Sequence, residues 1–78
     1  MVQIKLSNVI DGIASKLNTK ARYSQFSEEY ILSNVDVNKL EEIGFEFVGY
    51  DNANKYPIYR YENLEAIFDR VIVHIYQI

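Results

Sequence analysis

A small α+β domain, with three to four helices and one β-hairpin at about residues 45–50/56–61, is the fold this sequence predicts. Three observations predict it. Phe45-Glu46-Phe47-Val48-Gly49-Tyr50 and Tyr56-Pro57-Ile58-Tyr59-Arg60-Tyr61 alternate as strands do, and Asp51-Asn52-Ala53-Asn54-Lys55 between them has the Asn/Asp chemistry of a reversal. Elsewhere, apolar residues recur at helical spacing behind candidate N-caps. The chain of 78 residues would, if divided, leave halves below the roughly 40 residues at which a core usually needs a disulfide, metal or partner. Residues 1–78 are therefore read as a single globular domain.

Taken in order, Val2, Ile4 and Leu6 alternate with Gln3 and Lys5, which suggests a short strand over residues 2–6. Ser7 followed by Val9, Ile10, Ile13, Ala14 and Leu17 predicts a first helix over about residues 8–18. The polar stretch from Asn18 to Ser24 is the natural connection. Ser24 or Ser27 is a candidate cap for a second helix, with Glu28 and Glu29 in its first turn and Phe26, Tyr30 and Ile31 as its apolar side. Asp36 caps a short third helix with Val37, Leu40 and Ile43 on one face, and Gly44 stands where a left-handed residue ends a helix. The hairpin follows. Last, Leu64, Ile67, Phe68, Val71, Ile72 and Ile75 recur at helical spacing behind Asn63, predicting a helix to about residue 70 and beyond it to the end; five β-branched residues among 71–78 make a strand over 71–77 the alternative. The helical version buries Ile72 and Ile75 with Phe68 and leaves Val73 at the margin. With residues 63–76 helical, the element order is that of a winged helix-turn-helix; with a strand at 71–77, the helices lie on one face of a small mixed sheet.

Composition narrows the function classes. Hydrophobic residues at 49% against 24% charged make the chain globular rather than disordered. Having no cysteine, it offers no disulfide framework, thiolate metal site or cysteine nucleophile. No apolar run nears the ~18 residues of a transmembrane helix, and the start alternates instead of forming a signal-peptide core. The expected location is the cytoplasm, with no membrane partner. Abundant Asn, Ile and Tyr resemble the usage of AT-rich genomes such as those of many phages and mobile elements.

The net charge of −3 is unevenly spread. Residues 1–27 carry Lys5, Lys16, Lys20 and Arg22 against Asp11, a balance of +3. Residues 28–51 carry Glu28, Glu29, Asp36, Glu41, Glu42, Glu46 and Asp51 against Lys39, a balance of −6. Such segregation can steer encounter with an oppositely charged partner.

No catalytic constellation emerges. His74 is the one histidine, and its nearest acid in sequence, Asp69, is poorly placed for a helical pair, so a structural role is the better reading. The paired acids Glu28/Glu29 and Glu41/Glu42 diverge by about 100° on a helix and do not converge on a substrate. Three glycines, at 12, 44 and 49, exclude a phosphate-cradling loop, and no serine lies in a nucleophile elbow. The chain is accordingly read as no enzyme, and no cofactor or metal site is expected. As a nucleic-acid binder it would rely on Lys16, Lys20, Arg22, Lys55 and Arg60, but residues 36–43 carry three acids and one base where a recognition helix would meet phosphate.

Two stretches resemble known families. Leu40-Glu41-Glu42-Ile43-Gly44-Phe45, with Tyr59-Arg60-Tyr61-Glu62-Asn63-Leu64, looks like the recognition-helix end and wing-to-helix junction of MerR-type and excisionase-type regulators, which implies a winged-helix fold; the long intervening loop and the lack of arginines in the helix depart from that pattern. Tyr61-Glu62-Asn63-Leu64-Glu65-Ala66-Ile67-Phe68-Asp69 resembles the inhibitory helix of barstar, which would make Glu65 and Asp69 inhibitory acids.

Together these features predict a non-enzymatic protein-binding module, a small phage or mobile-element inhibitor or regulator that binds a host protein. The partner-binding residues are expected to be Glu41, Glu42, Tyr50, Tyr56, Tyr59 and Tyr61, since tyrosines are favoured interface anchors. The alternatives are a winged-helix-like nucleic-acid-binding regulator, with nucleic acid the less favoured partner, and a homodimerising structural subunit whose apolar C-terminal stripe is covered by a second copy.

Overall fold

The computed structural model describes residues 6–78 and shows two helices and a six-stranded sheet antiparallel throughout. Strand accounts for 41% and helix for 23%, so the expected α+β domain of three to four helices is overturned in favour of a mostly-sheet domain. The elements run α1 (Leu6–Lys16), β1 (Ala21–Ser24), β2 (Glu29–Leu32), α2 (Val37–Glu42), β3 (Glu46–Tyr50), β4 (Pro57–Tyr61), β5 (Leu64–Asp69) and β6 (Ile72–Gln77). Spatially the strands lie in the order β1-β2-β6-β5-β4-β3. The strand suggested for residues 2–6 falls outside the described residues except for Leu6, which begins α1.

Both helices end for reasons visible in the sequence. At the end of α1, Asn18 takes φ of 57°, its N–H reaches Ser15 at 3.1 Å, and the Thr19 N–H reaches Ala14 at 2.9 Å, the paired bonds of a Schellman cap. Gly44 does the same for α2 with φ of 115°: its N–H bonds the Glu41 carbonyl at 3.1 Å and that of Phe45 bonds Leu40 at 3.2 Å. Phe45 and Leu40 are buried, supplying the apolar contact that accompanies this cap. At the other end of α2, Oδ1 of Asp36 accepts from the Asn38 N–H at 2.9 Å. Asp36 and Gly44 thus do what their residue types predict.

The expected second helix is instead the β1–β2 hairpin. Its turn holds Glu28 at φ of 55°, which a helix cannot include, and Ser24, rather than capping a helix, accepts from the Ser27 hydroxyl at 2.9 Å across the turn. Tyr23 opposes Tyr30 in the register, their rings 4.8 Å apart. The expected last helix is likewise a hairpin of β5 and β6, joined through Arg70 (φ 62°) and Val71. Glu62 (φ 54°) and Asn63 form the tight turn before β5, so Asn63 caps nothing. These corrections remove the helix-turn-helix of a winged helix and the helix of the barstar resemblance, since Glu65 and Asp69 stand on a strand.

One face of the sheet meets both helices. Leu32, Val73, Ile75, Ala66, Leu64 and Tyr59 share a buried core with Ile10, Ile13, Ala14 and Leu17 from the first helical segment and Leu40 from α2. The opposite face carries Ile31, His74, Ile67 and Ile58, directly opposed from strand to strand, beside Glu29, Tyr76, Glu65 and Arg60. β5 and β6 therefore have apolar side chains on both faces. That composition hides their period of two.

The β3–β4 hairpin matches expectation closely, with Asp51 organising the reversal: its N–H bonds Tyr56 at 2.8 Å, its carbonyl accepts from Lys55 at 2.8 Å, and its Oδ2 accepts from Asn54 at 2.9 Å. Within it the register slips, Phe47 opposing Tyr59 and Gly49 opposing Ile58, which leaves Val48 as the extra residue of a bulge. Val48 is half exposed and lacks a cross-strand partner. Deleting it should leave an ordinary strand with Phe47 still opposite Tyr59, at a cost below about 1 kcal/mol, whereas deleting Phe47 brings Val48 opposite Tyr59 and removes the ring contacts of Phe47 with Tyr50 and Tyr59, at a larger cost; denaturant midpoints of the two deletion variants check this.

Candidate functional site

The bulge determines what β3 displays. In a regular strand, residues three apart point to opposite faces. With Val48 extruded, Phe47 and Tyr50 fall on the same face, and their rings meet edge to face at 5.2 Å and 70°. Phe47 also meets Tyr59 of β4 at 5.7 Å and 67°. Beneath them, the Tyr59 hydroxyl donates to Oε1 of Glu41 on α2 at 3.5 Å. Burial, and then the adjacent Glu41 carboxylate, push the Tyr59 hydroxyl above its usual pKa, so it stays a neutral donor. An aromatic row thus runs from exposed Tyr50 and Phe47 to buried Tyr59 and ends at the acids of α2.

The six residues expected to bind a partner divide accordingly. Glu41, Tyr50 and Tyr59 are brought into this one row, and Glu42 is exposed next to Glu41. Tyr50 is 64% exposed, while Tyr59 is 7% exposed and serves chiefly as the floor of the surface. Tyr56 is half-buried at the entry to β4. Tyr61 is half-buried, its ring 5.3 Å from Phe45 and packed against Gly44, where an added Cβ would lie 2.9 Å from it. It supports the core and the α2 cap. The residue that sequence reasoning missed is Phe47. A glycine within an aromatic strand, as at Gly49, was the available signal of a bulge.

The five basic residues do not form one group: Lys16 ends α1 on the β1 side of the sheet, far from Lys55. Lys20 and Arg22 lie at or beside β1, and Lys55 lies beside β3, the opposite edges of a sheet about 24 Å wide at ~4.8 Å per strand. Arg60 is engaged by Glu65 at 2.8 Å. A second exposed aromatic region belongs to the β1–β2 hairpin, where Phe26 is wholly exposed at the turn and Tyr23 is half exposed.

On the helix-free face, Glu65 accepts from Arg60 and from the Tyr76 hydroxyl, while Nδ1 of His74 lies 2.8 Å from Oε1 of Glu29, an acid 45 residues away that only the β2–β6 pairing brings near. The bonds from Arg60 and Tyr76 hold the Glu65 carboxyl below its usual range, so its contribution is present above about 4.5 and is lost as pH falls. Burial and the Glu65 bond push Tyr76 up from 10.0 to about 12, so its contribution is full below pH 10 and declines as pH rises toward 12. Tyr76→Phe should flatten part of the stability loss in that alkaline interval, measured as denaturant midpoint against pH.

Among the described residues, no three His, Cys, Asp or Glu converge to hold a metal, no polar side chain is fully buried, and no helix is long and apolar enough to cross a membrane. A recess of about 500 Å³ between α1 and β1 is lined by Asp11, Ala14, Ser15, Asn18, Thr19, Lys20 and Ala21, away from the aromatic row. Compared with family models, curated proteins and solved structures, the chain matches none.

Proposed function

We propose that the chain is a non-enzymatic protein-binding module, a small inhibitor or regulator that acts by covering part of a protein partner with the Glu41–Tyr59–Phe47–Tyr50 surface. The observation that carries this reading is the contiguity of two large exposed rings with an acidic helix end. Aromatic anchors of this kind dominate binding energy when a partner desolvates them, and the acids add steering toward a basic surface. A hairpin fixed by its bulge and by the Asp51 turn loses little freedom on binding, which favours affinity. Residue usage of the AT-rich kind supports a phage or mobile-element origin, and a chain without cysteine suits the cytoplasm.

A photo-reactive amino acid placed at position 50, and separately at position 71, tests the proposal in cells that naturally hold the gene. Both side chains are exposed, so both variants should fold. Position 50 should give a discrete protein adduct that position 71 does not. Adducts of equal yield from both positions, or none from position 50, would refute the assignment.

A further inference from the structure

We infer that this surface recognises a guanidinium, and hence a protein segment that presents arginine. The inference rests on the protein-binding reading above and specifies the chemistry of its partner. Phe47 stands nearly perpendicular to both Tyr50 and Tyr59, at 70° and 67°, and remains half exposed, as Tyr50 is 64% exposed. Accessible ring area of this kind attracts a cation. The same row ends at the Glu41 carboxylate, which is held by the Tyr59 hydroxyl at 3.5 Å. Among the described residues, neither Glu41 nor Glu42 has a lysine or arginine partner within 4.0 Å, unlike Glu65, which Arg60 occupies. The surface therefore offers rings and unneutralised acid side by side.

A planar guanidinium can lie on a ring face and still direct its edge N–H groups at a carboxylate. An ammonium is more strongly hydrated and has no plane to stack, so lysine satisfies the two features less well. The acids beside the rings are Glu41 and Glu42 of α2; Glu46, next to Phe47 in β3, falls on the opposite face, and Lys39 of α2 and Lys55 of the turn beyond β3 are the cations of these elements. Tyr23 and Phe26, the other exposed aromatics, stand on the β1–β2 hairpin, where Lys20 and Arg22 offset Glu28 and Glu29, and neither ring meets a carboxylate through a hydrogen-bonded tyrosine as the Phe47 row does.

The test is an NMR titration of the full chain with two uncharged-end peptides, acetyl-Gly-Arg-Gly-Arg-Gly-amide and its lysine counterpart. Saturable shifts should centre on Glu41, Phe47 and Tyr50, with the arginine peptide binding at least ~5-fold tighter, about the worth of one good cation–π contact. Tyr50→Ala and Glu41→Gln should each remove that preference, while Glu28→Gln on the β1–β2 turn should leave it intact; amide spectra report that each variant is folded. Equal affinity for the two peptides, shifts scattered over all surface acids, or no binding would overturn the inference. Should the adduct at position 50 persist in any of those cases, protein binding stands and only the guanidinium assignment falls; should that adduct also be missing, both fall.

Discussion

Ile75→Ala should lower the unfolding free energy by about 2–5 kcal/mol and Val73→Ala by about 2 kcal/mol, while Ile72→Ala costs under about 1 kcal/mol. Val73 and Ile75 are wholly buried against α1 and α2, whereas Ile72, beside the Arg70–Val71 turn, is 37% exposed on the other face. A domain of this size has a total stability of the order of 5 kcal/mol, so Ile75→Ala removes much of it. The helical reading of this segment demands a different order, with Ile72 as damaging as Ile75 and Val73 mild. Urea midpoints of the three variants, compared at unchanged slope, decide between the two patterns.

Why β5 and β6 read as a helix is a matter of their surroundings. Leu64, Ala66 and Phe68 face the helices while Ile67 and Ile72 sit on the open face, so the strands lack a clean polar side and their apolar residues coincide with helical spacing. Strand alternation is legible where one face meets water, as in Arg60 between Tyr59 and Tyr61. The β1–β2 hairpin was hidden for a second reason: its turn uses Glu28 at positive φ, with neither Gly nor Pro to mark it, and its pairing with β6 is set over more than 40 residues of sequence. Local chemistry was readable. Asp36, Gly44 and the Asp51 turn each announce their role through a side-chain oxygen or a missing Cβ.

The candidate site was legible in part for the same reasons. Tyr50 and Glu41 could be singled out by residue type, but their union depends on α2 folding over β4 and on a one-residue bulge, neither of which alternation encodes. Tyr59 and Tyr61 show the converse. Aromatic character marks a residue for burial as readily as for binding, and only packing distinguishes the two.

The affinity of point variants for the protein crosslinked at position 50 tests the binding surface most directly. Phe47→Ala and Tyr50→Ala should each weaken binding by at least ~30-fold, the roughly 2 kcal/mol expected of an interface anchor, with the fold retained because both rings are at least half exposed. Tyr23→Ala and Phe26→Ala, on the far edge of the sheet, should change it less than ~3-fold. The reverse pattern, with Phe26→Ala or Tyr23→Ala abolishing binding while Phe47→Ala and Tyr50→Ala bind normally, would contradict the account and move the interface to the β1–β2 hairpin.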